Sequence, residues 1–221
     1  MQEVRLIFSK TDSCKYIGHL DVNRCMLRAM TRAKIPLWYT EGFNPHPYIE
    51  FSLPLPLGVE SNVESMNIRL IEDMPYEEIK TKLNETLPVG LRIIDVYDDF
   101  RPVKDIAYSN YVFKIQFRDN EKALKSISNL LSGDEIIVQK KAKKGKRRIL
   151  KDVDVKHLIH SYDISIVHDD VVINACLVAG IERNLSPTLL LDKMIDSATQ
   201  EYEWKNVLRV SLLDKDFNVF K

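Results

Sequence analysis

Residues 4–8, VRLIF, followed at 19–34 by HLDVNRCMLRAMTRAK, decide the fold class. The first run is β-rich and alternating, and the second places Val22, Met26, Ala29, Met30 and Ala33 on one face at helical spacing. A strand therefore feeds a helix, which Pro36 ends. Further on, residues 37–40 read as a strand, and Ile49, Phe51 and Leu53 alternate with Tyr48, Glu50 and Ser52 as a second arm. A strand at 66–71 follows. Pro75 opens a helix over 76–87 containing Ile79 and Leu83, and 91–96 closes the unit as a strand. Apart from one further strand segment between the helices, the order is β-α-β-β-α-β, which predicts an α+β, ferredoxin-like unit with two helices on one face of an antiparallel sheet.

The order repeats after the polar junction Asp98-Asp99-Phe100-Arg101-Pro102, which predicts domains at 1–101 and 102–221. Residues 111–117 form a strand, Asp119 caps a helix to 131, and 136–141 with 147–150 make a hairpin turning at Lys144-Gly145. Asp154 caps a short turn, strands at 163–167 and 171–178 meet at His168-Asp169-Asp170, Ser186-Pro187 opens a helix to 195, and 207–213 is the last strand. With the lysine-rich hairpin taken as an insertion, two tandem ferredoxin-like units are expected.

The 221 residues carry 32 basic and 32 acidic side chains, but not evenly. Residues 1–40 hold 7 basic and 3 acidic, 41–99 hold 4 and 12, and 100–221 hold 21 and 17. Neutrality argues against indiscriminate nucleic-acid binding yet permits a confined basic patch. Apolar residues at 45% and charged residues at 29% are ordinary for a globular chain. The start, Met1-Gln2-Glu3, has no basic or apolar signal region, and no apolar stretch is long enough for a bilayer, so a cytoplasmic protein without a membrane partner is expected. Cys14, Cys25 and Cys176 fit neither a disulfide framework nor a CxxC site.

Between Gly42 and Gly58 lie four of the nine prolines and two of the seven glycines. Each X-Pro step drives the preceding residue out of the helical region, so Asn44, His46, Leu53 and Leu55 are held extended. Such a stiff loop presents Phe43, Asn44, His46 and Tyr48 as a recognition surface; the prolines also serve simply to stop edge pairing. On the first helix, Arg24, Arg28 and Arg32 are spaced four apart, with Lys15 and Lys34 flanking. Like charges at that spacing cost stability unless an anion approaches, although a solvated face is the plainer alternative. The densest basic signal is Lys140, Lys141, Lys143, Lys144, Lys146, Arg147, Arg148 and Lys151, eight cations in twelve residues. A charged finger of this kind follows a nucleic-acid backbone through counterion release, or merely keeps a hairpin soluble.

Catalytic signals are weaker. His46, with His19 or Asp21 converging on it in space, would make an acid-base pair. His157 and His160 lack a third ligand at metal-site spacing, so no metal site is expected. Walker, GxGxxG and GxSxG motifs are missing.

Tyr16-Ile17-Gly18-His19-Leu20-Asp21, the arginine-bearing helix, Gly42-Phe43-Asn44-Pro45-His46-Pro47 and Pro54-Leu55-Pro56-Leu57-Gly58-Val59-Glu60-Ser61 together resemble the bacterial radical-SAM-linked protein family, a domain of unknown function. Gly18 stands where that family usually has serine. The match is specific over 5–70 and looser beyond. The resemblance implies an accessory role beside a radical-SAM protein that carries an iron-sulfur cluster, S-adenosylmethionine and a cobalamin-binding-like region. This chain lacks the Cys-x3-Cys-x2-Cys motif for such a cluster, so no cofactor of its own is expected.

Taken together, these readings predict a non-catalytic RNA-binding accessory protein working with a separate radical-SAM enzyme in RNA modification or maturation. Two alternatives stay open: a metal-independent endoribonuclease-like enzyme using His46 or His19, by fold analogy alone, and a protein-only adaptor.

Overall fold

The computed structural model describes residues 1–144 and 147–221, and side chains outside 141–149. The fold is mixed α+β: the described residues form four α-helices and strands that pair mostly antiparallel. Two compact units form: 1–106 with 208–221, and 107–207. The boundary thus follows Ile106 rather than Arg101, and the last fourteen residues, expected in the second half, belong to the first unit.

In the first unit, β1 (Gln2–Lys10) leads to α1 (His19–Arg32), β2 (Ile49–Phe51), β3 (Glu60–Leu70), α2 (Tyr76–Thr86) and β4 (Leu91–Tyr97). The strand order is β4-β1-β3 with β2 also on β3, and these pairs are antiparallel. Val4, Leu6 and Phe8 alternate into a core with Met26 and Met30 of α1 and Ile79 and Leu83 of α2. Burying each such side chain stabilises the unit by roughly 1.5–3 kcal/mol, which sets the face that each helix presents. The opposite face of β1 carries Arg5, also wholly buried, with its guanidinium 4.4 Å from the Phe100 ring centroid and 4.8 Å from that of Phe220.

Three expectations need correction here. Residues 37–40 form no strand, only the isolated bridges Leu37 to Leu70 and Tyr39 to Pro47. The arm expected over 48–53 is a strand only from Ile49 to Phe51, and Pro54 and Pro56 beyond it have no N–H to offer a neighbour. Conversely, β3 begins at Glu60 rather than near Met66, because its polar first half pairs with β1, Phe8 opposite Glu64 and Lys10 opposite Ser61.

In the second unit, β5 (Tyr108–Phe117), α3 (Asn120–Ser132), β6 (Ile137–Lys144), β7 (Arg147–Asp154), β8 (Ile159–Val167), β9 (Asp170–Val178), α4 (Pro187–Ala198) and β10 (Tyr202–Leu213) follow in turn. The strand order here is β10-β5-β9-β8, and the end of β10 from Leu208 returns to the first unit, where Leu208 and Arg209 pair parallel with Glu60 and Ser61. Asp119 caps α3, its Oδ1 accepting from Lys122 N at 3.0 Å. The β6-β7 hairpin is a separate two-stranded sheet. Its base closes through Asp154 Oδ1, which accepts from Ile136 N at 2.8 Å and Lys156 N at 2.9 Å. Those two donors hold the Asp154 carboxyl below its ordinary pKa.

Candidate functional site

The chain leaves β1 at Lys10, turns through a single 3-10 segment, Asp12–Tyr16, and enters α1 with Gly18 extended at the N-cap. Two anchors fix this connection: Thr11 N donates to Gly90 O at 2.9 Å, and Lys10 Nζ donates to Ile17 O at 2.9 Å. From the helix so positioned, Arg24, Arg28 and Arg32 all project into solvent. Arg24 pairs with Asp21 at 3.3 Å, and both side chains are mostly exposed, so the pair contributes little. Arg32 donates to Thr86 O at 2.8 Å. Arg28 has no ion-pair partner among the described residues.

The proline loop is a closed stem with an open tip. Thr40 N donates to His46 O at 2.9 Å and Tyr48 N to Trp38 O at 3.0 Å, which leaves 41–45 beyond the stem. Phe43 at that tip is fully exposed and Asn44 is exposed beside it. His46 is held by its own loop: Nδ1 lies 3.0 Å from Asn44 O and 3.1 Å from Thr40 Oγ1. His19 instead packs its ring edge against Phe51, centroids 4.8 Å apart, and Asp21 faces Arg24. No hydrogen bond joins His46 to either of them among the described residues, so the structure does not assemble the acid-base pair. Tyr48 also sits away from the tip, under the Arg69 guanidinium at 4.0 Å, and Arg69 in turn pairs with Glu3 at 2.8 Å. Burial, followed by the charge of Glu50, pushes the Tyr48 phenol pKa up.

Behind these surfaces lies a buried polar array that the sequence did not announce. Lys10, Ser61, Glu64 and Arg209 are all buried. Arg209 Nη1 donates to Glu64 Oε1 and to Leu53 O, both at 2.9 Å. Burial lowers the Lys10 pKa, and the Glu64 carboxylate opposes that shift. Through Ile17 O and Leu53 O, these two cations hold the backbone of the turn before α1 and of the stretch after β2. Gly58 N donates to Lys15 O at 2.8 Å and joins the stretches directly. No periodicity marks Arg209 as a partner of Glu64; only the return of β10 beside β3 does.

On the other side of this unit's strands is a cavity of about 430 Å³, lined by Ile7, Ser65, Asp95, Tyr97 and Phe220 among others. Next to it, Arg5 Nη1 and Nη2 and the Tyr97 hydroxyl have no hydrogen-bond partner among the described residues. Burial lowers the Arg5 pKa and raises that of Tyr97.

In the second unit, Lys140 is half-buried and Lys151 exposed, facing each other across the hairpin. The backbones of Lys141, Lys143, Lys144, Arg147 and Arg148 lie in β6 and β7. Lys146, and the turn expected at Gly145, lie outside the described residues. His160 packs against Tyr108, ring centroids 5.3 Å apart. Among the described residues no three His, Cys, Asp or Glu side chains gather closely enough to hold a metal ion, and no helix is long and apolar enough to cross a membrane.

The family described as "Uncharacterized protein conserved in bacteria (DUF2344)" matches residues 3–187, and the chain belongs to it. No curated protein matches the sequence. The chain is similar to one in the "Crystal Structure of a Cbf5-Nop10-Gar1 Complex", with 9% identity, a TM-score of 0.49, and 95% of this chain and 48% of that one covered. It therefore spans about half the length of that solved chain.

Proposed function

We propose that this DUF2344 protein is a non-catalytic RNA-binding accessory protein, and that it serves a separate radical-SAM enzyme in RNA modification or maturation. The observation that carries the reading is the exposed Arg24, Arg28 and Arg32 face, on which Arg24 has only the exposed Asp21 and Arg28 has no ion-pair partner among the described residues: three cations held on a rigid helix with one matching anion invite a phosphate backbone. The eight-cation run of the second unit supports it. Each unit on this reading is a ferredoxin-like variant carrying one basic surface, with the inserted hairpin as the second. The radical-SAM partner is inferred from the sequence motifs alone, and it would supply the iron-sulfur cluster, S-adenosylmethionine and any cobalamin. His46, tied to Thr40 and Asn44, serves to shape the loop.

The test is binding of the full chain to total RNA from its host across a salt series, with crosslinking to identify the RNA and any co-purifying protein. Replacing Arg24, Arg28 and Arg32 by alanine should weaken binding and flatten the plot of log K against log salt, by about 0.7 for every single-strand phosphate that no longer meets a cation. Substituting Lys143, Lys144, Lys146, Arg147 and Arg148 should do likewise. Unchanged affinity in both variants would remove the RNA role and leave a protein-only adaptor.

A further inference from the structure

Leu20 precedes Arg24, Arg28 and Arg32 by the same four-residue step, so it begins their ridge on α1, and it is 68% exposed. Just before it, Tyr16 is also 68% exposed, and the Lys15 ammonium lies 5.4 Å from its ring centroid. Leu57, 60% exposed, is brought alongside by the Gly58 N to Lys15 O hydrogen bond. Three large apolar side chains thus stand in solvent at one end of a row of arginines.

We propose that this surface binds single-stranded RNA, with an unpaired base stacked on Tyr16 beside Leu20 and Leu57 and the backbone running along Arg24, Arg28 and Arg32. The inference rests on the RNA-binding reading above and adds the strandedness of the RNA and the residue that takes its base. Charge complementarity selects the occupant. A polymer that offers a flat apolar face and repeating anions matches an aromatic platform continued by cations, whereas an apolar protein patch would leave the arginines without partners. Helical rise spaces the arginines about 6 Å apart along the axis, so each can meet a different phosphate. Stacking on an aromatic side chain requires a base free of its duplex. The platform is preorganised as well: Cys14 Sγ donates to Val89 O at 3.2 Å, and the Lys10 and Thr11 anchors brace the turn that ends at Tyr16. Asp21 occupies Arg24 in the free protein, but an exposed pair of this kind yields readily to a phosphate.

The experiment measures fluorescence anisotropy of a labelled single-stranded RNA of about 12 nucleotides and of the same sequence as a duplex, at fixed salt, with the full chain and with Tyr16→Ala, Tyr16→Phe and Arg28→Ala. The single strand should bind more tightly than the duplex. Tyr16→Ala should lose about ten-fold or more in affinity, and Tyr16→Phe should retain it, since the ring and not the hydroxyl does the stacking. Thermal melts confirm that these exposed substitutions leave the fold intact. Equal binding of duplex and single strand, or full affinity in Tyr16→Ala with a loss in Arg28→Ala, overturns this inference and leaves the RNA reading standing. No binding of either RNA by the unaltered chain overturns the RNA reading itself, and this inference with it.

Discussion

Arg209 and Glu64 form an ion pair at 2.9 Å with only 2% and 6% of their side chains exposed, and the same Arg209 nitrogen holds the Leu53 carbonyl. Removing one partner strands the other charge away from water. Glu64→Ala should destabilise the chain by about 3–5 kcal/mol in urea unfolding, and the double change Glu64→Leu with Arg209→Met should cost much less than the sum of the single changes. Additive costs would mean that the pair does not act as a unit.

Gly90 has φ +93°, and a Cβ there would lie 2.6 Å from Thr11 O and 3.0 Å from Cys14 Sγ. Gly90→Ala therefore meets both a disfavoured backbone and a clash with the turn before Tyr16, and should cost more than about 1 kcal/mol by thermal or denaturant melting. An unchanged melting temperature would show that the turn gives way freely.

Gly18 is the reverse case. Its backbone at the α1 N-cap is extended, no side chain caps the helix, and a Cβ would meet only Asp21 Oδ2 at an ordinary 3.7 Å. Gly18→Ser supplies the missing acceptor and should stabilise by a few tenths of a kcal/mol from capping plus about 0.4–1 kcal/mol from reduced freedom of the unfolded chain. The melting temperature should rise by about 2–4 °C; a fall would rule out this cap geometry.

Asp214 supplies an acid-sensitive element. Burial works to raise its pKa, but the Arg101 guanidinium and the N–H groups of Asn218 and Asp216 outweigh it and hold the carboxyl at about 2, down from 3.8. Because the folded value is the lower one, the stabilisation is present above 3.8 and is lost as pH falls towards about 2. Melting temperature against pH should drop across that window, and Asp214→Asn should flatten the drop. Parallel curves for the two proteins would assign the acid sensitivity to other carboxylates.

How far the residues could be read in advance depends on the range of the interactions involved. Val4, Leu6 and Phe8, and the Val22, Met26, Met30 face, report their burial through local periodicity, and the structure places them in one core. The Asp119 cap and the Pro187 start of α4 are equally local. Residues 60–65 were hidden because their polar side chains mimic a loop, while their backbone pairs with β1. Tyr48 shared a loop signature with Phe43, yet Arg69, more than twenty residues on, draws it into the stem and leaves Phe43 outside.

By itself, the sequence determined the α+β class, the helices and the buried face of α1, the paired arms of the β6-β7 hairpin and the arginine ridge, because each follows from spacing within a few residues. Only the tertiary structure decided that the chain's end returns to the first unit, that Lys10, Glu64 and Arg209 are buried together, and that His46 bonds within its own loop while His19 packs on Phe51. Burying a carboxylate is costly unless a cation meets it. For Glu64 that partner lies 145 residues away, beyond the reach of any local pattern.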